Sequence, residues 1–399
     1  TPTLYLTTHL EYRLVYENQD NYPVKPRRMA EHTLLKLKAS IKGYVENPTD
    51  VDNFLQIERV DQAGETAFIP DEFPNFNGSA VEYVIITNQA LAEGFQEIAD
   101  WKTRKGVPSV VRTVEWIYSY YPGADQAEKV RNFIIDAYEN WGIQYVMLGG
   151  DSEIVPLRFA WISHFNDSYL KRFYPYGAMI PTDMYFACLD GNWNADGDAT
   201  YGEADWQRVF NDEPEHFPGE DFDQVDREPE VYLGRMPVED MEELNSWKVK
   251  YFEYVKTSQG NENNALLFSS MGSINTLVSA CPSYVNFTKR YNTGGYNNMD
   301  VLDEFNGNGP DNMSHHIICG LGHGGPTSFA AANGSLDRTH MDNLINTVRS
   351  QILYLGNHCT TMPWDKNTVT EHYLNSENGG VAVIANTAPG WSSMVTHYN

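Results

Sequence analysis

Residues 81–113 read VEYVIITNQALAEGFQEIADWKTRKGVPSVVRT, and the alternation inside this stretch decides the fold. Residues 81–87 are a short, nearly continuous apolar run, as in a strand buried on both faces of a sheet. Leu91, Phe95, Ile98, Ala99 and Lys102 then recur at helical spacing over 90–105, and Gly106 supplies the stop. Residues 109–112 are strand-like again. A strand, a helix and a strand in that order require a crossover, which is right-handed and makes the two strands parallel.

The same alternation extends downstream. A helix is expected over 125–141, stopped by Gly142, then strands at 145–148 and 231–234 and an amphipathic helix over 239–256. After a polar break at 261–264 the spacing predicts strand 265–269, helix 277–291, strand 316–321, helix 338–349, strand 352–355, helix 367–374 and strand 381–385. Upstream, 4–16 alternate as a half-buried strand, 33–45 form a second apolar-rich segment, and 61–79 carry the Gly, Pro, Asn and Asp of a linker. The chain therefore reads as an N-terminal β segment and linker (1–78) followed by two α/β units (79–260 and 261–399), each a mostly parallel sheet flanked by helices.

With 54 acidic against 28 basic residues, the 399-residue chain carries a formal charge of −26. Such a polyanion repels nucleic acid and anionic lipid headgroups, and it favours hard divalent cations, calcium first. No stretch approaches the ~18 apolar residues of a membrane-spanning helix. Thr1 opens directly into strand-like sequence, so upstream processing is expected. Four cysteines are too few for a disulfide scaffold.

Ligands on parallel sheets gather beyond the carboxyl ends of the strands. Two such ends carry reactive side chains: 316–321 runs into Gly322-His323-Gly324-Gly325, and 352–355 ends in Gly356-Asn357-His358-Cys359-Thr360. A thiolate nucleophile needs an imidazole to take its proton and later deliver one to a leaving amine. Cys359 and His323 are the candidates, with the backbone N–H groups of Gly324 and Cys359 as donors to a developing oxyanion. His358, next along an extended strand, is expected to face the other way. Cys319, inside an apolar strand, reads as core.

These motifs carry a resemblance. IICGLGHGG at 317–325, YLGNHC at 354–359 and GGVAVIANTAPGW at 379–391 are similar to the gingipain family of cysteine peptidases. EYVIITN, IADWKTRKG, VRNFIIDAYENWGIQYVMLGGDSEIVP and PEVYLGRMPVED, upstream and in the same order, extend the similarity over roughly 80–399. The resemblance implies a caspase-like α/β fold, endopeptidase activity on a polypeptide substrate, export to the cell surface, calcium sites, His323 as base and Cys359 as nucleophile. It also implies that Trp391 walls a specificity pocket and that the first ~75 residues are the tail of a pro-segment, as in a zymogen. Two departures stand out. The acid that usually orients the histidine is absent from Ser269-Ser270-Met271-Gly272. Neither 273–298 nor 384–393 offers a pocket acid for Arg or Lys, so a neutral or hydrophobic residue is expected at the cleavage position.

NWNADGDATYGE at 192–203 places oxygen ligands at loop positions one, three, five, seven and twelve: Asn192, Asn194, Asp196, Asp198 and Glu203, with Gly197 at the turn. That is EF-hand-like calcium spacing, and Asp190 lies just upstream as an added ligand. Asp221, Asp223 and Asp226 are further candidates in the acidic stretch 212–230. Asp151 is expected to cap a turn, and 25–28 is a basic patch or a processing site. Two other functions fit the same residues: a transpeptidase that resolves the thioester with an amine, and a non-catalytic calcium-binding surface protein.

Overall fold

The computed structural model describes residues 28, 31–45, 47–54, 68–162, 178–202, 223–226, 228–363 and 367–388. The expected strand at 4–16 lies outside them. Within them, two all-parallel sheets form. The first has the order Ser109–Thr113, Tyr83–Thr87, Tyr145–Gly149, Tyr232–Met236. The second has the order Asn286–Tyr291, Asn264–Ser269, Ile317–Leu321, Ile352–Asn357, Ala382–Ala385. The fold is the α/β, caspase-like one that the alternation and the resemblance imply.

Side-chain alternation explains the layering of the first sheet. Val84, Ile86, Val146 and Leu148 pack on one face with Val130, Phe133 and Ile134 of the helix Gln126–Asp136. Tyr83 and Ile85 face the other way, onto Phe95 and Ile98 of Ala92–Arg104 and onto Leu244 and Trp247 of Met241–Lys256. Asp125 and Asp240 cap the helices they precede by accepting backbone N–H bonds. The helix Gln126–Asp136 runs on into a π-helical turn, Ala137–Trp141, and Gly142 closes it at φ +79. A Cβ on Gly142 would also lie 2.7 Å from the carbonyl oxygen of Arg28. Arg28 is buried there, so the basic patch at 25–28 does not present that residue for cleavage.

Three expectations are corrected. The described part of the N-terminal segment is helical, at Glu31–Lys42 and Val51–Phe54, because EHTLLKLKASIK is built mainly of helix formers. The expected helix 277–291 divides into Asn275–Ala280 and the strand Asn286–Tyr291. Pro282 blocks continuation, and the strand is then held in six parallel register pairs beside Asn264–Ser269. The expected helix 338–349 stops at Asp342, where Asn343 and Asn346 bond locally to backbone groups instead. The linker 61–79, where described, is fastened to the first sheet: Arg112 donates to the carbonyls of Asp71 and Glu72, and Phe73 packs on Trp116.

Candidate functional site

The strands that lead to His323 and Cys359 are neighbours in the second sheet. They pair in parallel, with a bulge after Cys319, and the last register pair is Leu321 with Asn357. Each candidate residue lies two positions beyond its member of that pair. His323 is exposed and Cys359 half-buried. The two loops touch: a Cβ added to Gly324 would sit 3.0 Å from the carbonyl oxygen of Cys359 and 2.9 Å from Cβ of His358. Only glycine fits between the loop of His323 and the loop of Cys359.

After His323 the chain makes a small antiparallel sheet, Gly324–Gly325 with Ser328–Ala330 and then Ser335–Asp337. The Ala330 N–H donates to the His323 carbonyl at 2.8 Å, so residues 323 and 330 form a hydrogen-bonded pair. Alternation then makes Gly324 and Phe329 a non-hydrogen-bonded pair, with the Gly324 N–H directed away from the ladder. That orientation suits a donor to an oxyanion.

Past Cys359 the backbone is held in an unusual shape. Thr360 has φ +49, a costly left-handed conformation for a β-branched residue. It is retained by bonds from Thr360 N–H to Ala388 O and Met362 N–H to Asn386 O, both 3.0 Å. The Asn386 side chain donates back to His358 O at 3.0 Å. Trp391, which resemblance assigns to a pocket wall, lies outside the described residues.

Residues 269–272, where the orienting acid is expected, carry no carboxylate. Ser270 follows the strand Asn264–Ser269 instead; its N–H donates to Leu321 O at 3.0 Å and its carbonyl accepts from Asn292 Nδ2 at 2.6 Å. Its hydroxyl lies 2.5 Å from where a Gly322 Cβ would be. Sequence reading missed Ser270, Asn292 and Asn386, although Ser270 could be found as the first residue beyond a strand's carboxyl end. Cys319 is buried as expected, and burial pushes its thiol up to about 12.

In the candidate calcium loop, the side chains of Asn192, Asp196 and Asp198 accept from the backbone N–H groups of Asn194, Asp198 and Thr200. Asn194 Nδ2 donates to Asp198 O, and Gly197 adopts φ +78 at the turn. Asp223 accepts from Ala195 and Gly202 N–H and so holds the loop closed. Glu203 and Asp221 lie outside the described residues. The carboxylates that converge are Asp190, Asp226 and Glu230, whose oxygens lie within 4.8 Å of one another.

A cleft of about 360 Å³ opens between the two halves, lined by Asp151, Glu153, Glu239, Glu243, Asp342 and Glu371 among others. Asp151 also caps its own turn, accepting from the N–H groups of Glu153 and Ile154. Burial, with Asp151 and Glu239 nearby, raises the Glu371 carboxyl to about 8, against hydrogen bonds from Thr368 that pull the other way. An acid whose folded pKa lies above its unfolded one destabilises the fold as pH rises between the two values, here 4.5 and about 8. Glu371→Gln keeps the capping box with Thr368, which a glutamine serves as well. Relative to wild type it should be little changed near pH 4.5 and more stable above pH 8, by up to about 5 kcal/mol, in urea unfolding at both pH values.

The sequence profile of peptidase family C25 matches residues 77–399. No curated protein matches the chain. Among solved structures, the complex of the pro- and mature domains of RgpB from Porphyromonas gingivalis is 18% identical, with a TM-score of 0.52 over 77% of this chain and 64% of that one. The Arg-specific cysteine proteinase gingipain R is 18% identical, with a TM-score of 0.54 over 81% and 66%. A structure described only as a protease is 15% identical, with a TM-score of 0.54 over 78% and 60%. The chain thus spans 60–66% of the length of these three structures, and at these identities the likeness is one of fold.

Proposed function

From the premise that the chain belongs to peptidase family C25, we propose that it is a secreted cysteine endopeptidase in which Cys359 is the nucleophile and His323 the base. The observation that carries this reading is the register of the two strands, with both reactive side chains two residues beyond the pair Leu321–Asn357 and Gly324 wedged between the loops. His323 takes the thiol proton. The Cys359 thiolate attacks the scissile carbonyl carbon, and the C–S bond forms as charge moves onto the oxygen. The N–H groups of Gly324 and Cys359 face that charge. His323 protonates the leaving amine as the C–N bond breaks. Water, deprotonated by His323, then resolves the thioester and returns the thiolate. Without a pocket acid, the preferred cleavage position is neutral or hydrophobic. Cleavage of a peptide library by wild type and by Cys359→Ala tests the reading; equal cleavage by both would sink it.

Calcium is proposed as a structural ion at Asp190, Asp226 and Glu230, bracing the loop that starts at Asn192. Arg131 draws this segment onto the first unit by donating to the carbonyls of Tyr185, Cys188, Leu189 and Asp190. Bunched carboxylates repel one another, and a divalent cation bound only to the folded state adds RT ln(1 + [Ca]/Kd), about 2.7 kcal/mol at a hundredfold excess over Kd. Chelation should lower the unfolding midpoint, calcium should restore it, and Asp226→Asn with Glu230→Gln should remove the response. A calcium response that survives the double variant rejects this site.

A further inference from the structure

We infer that His358 is a positioning residue: its Nε2–H, bonded to the Ala330 carbonyl, locks the nucleophile loop to the base loop and so aligns Cys359 with His323. The inference rests on the Cys–His reading above and adds to it the group that holds the two loops in register.

Ala330 is bonded on both sides. Its N–H donates to the His323 carbonyl at 2.8 Å, and its carbonyl accepts from His358 Nε2 at 3.1 Å. A carbonyl only accepts, so Nε2 carries the proton and Nδ1 is bare. Nδ1 is buried and has no hydrogen-bond partner among the described residues. A buried acceptor left unpaired costs stability, so an apolar ring would suit the core better, and the retained imidazole is explained by what Nε2 does.

The pocket around the ring is shaped to it. His358 is fully buried, with Phe268 and Phe329 at ring-centroid distances of 5.9 and 5.7 Å. Two glycines of the base strand make room: a Cβ on Gly320 would lie 2.8 Å from Cε1, and one on Gly322 would lie 3.1 Å from Nε2. The strand ends at Asn357, and the chain turns at Cys359 and Thr360, so the buried ring anchors the start of the turn that carries the half-buried Cys359. Burial first, and then the charge of a protonated His323, push the His358 pKa down to about 4, while the bond to Ala330 opposes this. The ring is therefore neutral well above pH 4, where it sets no positive charge beside His323.

Three variants test the lock through the pH dependence of iodoacetamide alkylation at Cys359, together with kcat and KM on a cleaved peptide. His358→Phe keeps the ring volume and loses the donor. His358→Gln places an amide N–H where Nε2 stood. His323→Ala reports the dyad itself. The expected result is an unfolding midpoint close to wild type for His358→Phe, with kcat down about 10- to 100-fold, KM little changed, and the alkylation profile moved toward that of His323→Ala. His358→Gln should recover both readouts to within about threefold, because the bond rather than the ring carries the effect. Wild-type kcat and alkylation in His358→Phe, or a His358→Gln as impaired as His358→Phe, overturns the inference while leaving the dyad intact. An alkylation profile identical in wild type and His323→Ala overturns the dyad, and the inference with it.

Discussion

Cys359→Ala should abolish peptide cleavage, and His323→Ala should lower kcat by about three orders of magnitude or more, with the fold of both variants intact. General base catalysis alone accounts for about 10²–10⁴ in rate, and a cysteine paired with its base also loses thiolate when the base goes. Neither residue is a packing element: His323 is exposed and Cys359 half-buried, so truncation opens no large cavity. The check is a pair of measurements on the same preparations. An electrophilic peptide analogue should label wild type at one site, fail on Cys359→Ala and label His323→Ala slowly, while the unfolding midpoints stay within a few degrees. Labelling that moves to Cys281, the other half-buried thiol, would place the chemistry elsewhere.

Much of the fold was legible because its strands are buried on both faces and its helices are amphipathic, so the change of period marks each boundary. Tyr83–Thr87 and Ala92–Arg104 match the reading of 81–113 to within two residues. What failed lies where tertiary pairing overrode a local pattern. Asn286–Tyr291, expected as the end of a helix, carries Arg290. In the fold it is buried against Glu304, which also meets His315 at 2.8 Å. The helix Asn298–Phe305 was missed although Asn297 and Asp300 form a capping box that sequence inspection can detect. The antiparallel turns at 324–337 were missed because two- and three-residue strands leave almost no periodic signal.

The site divides in the same way. Strand ends are predictable, so position singles out His323 and Cys359 as candidates, and the resemblance then assigns their roles. The groups that hold them come from other strands and loops: Ala330 from the hairpin, Ser270 from the neighbouring strand end, Asn386 beyond the edge strand. No spacing rule in one sequence links residues 30 to 90 positions apart, because sheet order, and not chain order, sets who meets whom. The acidic groups show this most plainly. The spacing at 192–203 singles out one loop, whereas the carboxylates that converge among the described residues, Asp190 with Asp226 and Glu230, flank it on both sides.

Trp247→Ala should be the most destabilising single truncation, because this side chain closes the seam between the halves. Trp247 lies on the helix Met241–Lys256 and is 4% exposed. It packs in a core that joins Met236, Val238 and Leu244 of the first half to Met362, Leu374 and Val383 of the second. Its Nε1–H donates to Val381 O at 3.0 Å, just before the edge strand Ala382–Ala385. The same helix fastens the second half three more times: Ser246 donates to Asn375 O, Lys250 to the carbonyls of Leu374 and Ser376, and Arg349 reaches back to Glu253. Removing a buried tryptophan costs about 3–5 kcal/mol, and here it also strands a carbonyl. Trp247→Phe keeps most of the ring and should cost about 1–2 kcal/mol, mainly the lost hydrogen bond. Urea unfolding followed both by tryptophan fluorescence and by accessibility of the Cys359 thiol separates the possibilities. If the seam couples the halves, both probes in Trp247→Ala shift together to lower urea. If the thiol becomes accessible well before the fluorescence changes, the second half opens by itself, and the seam is a contact between two independently stable units.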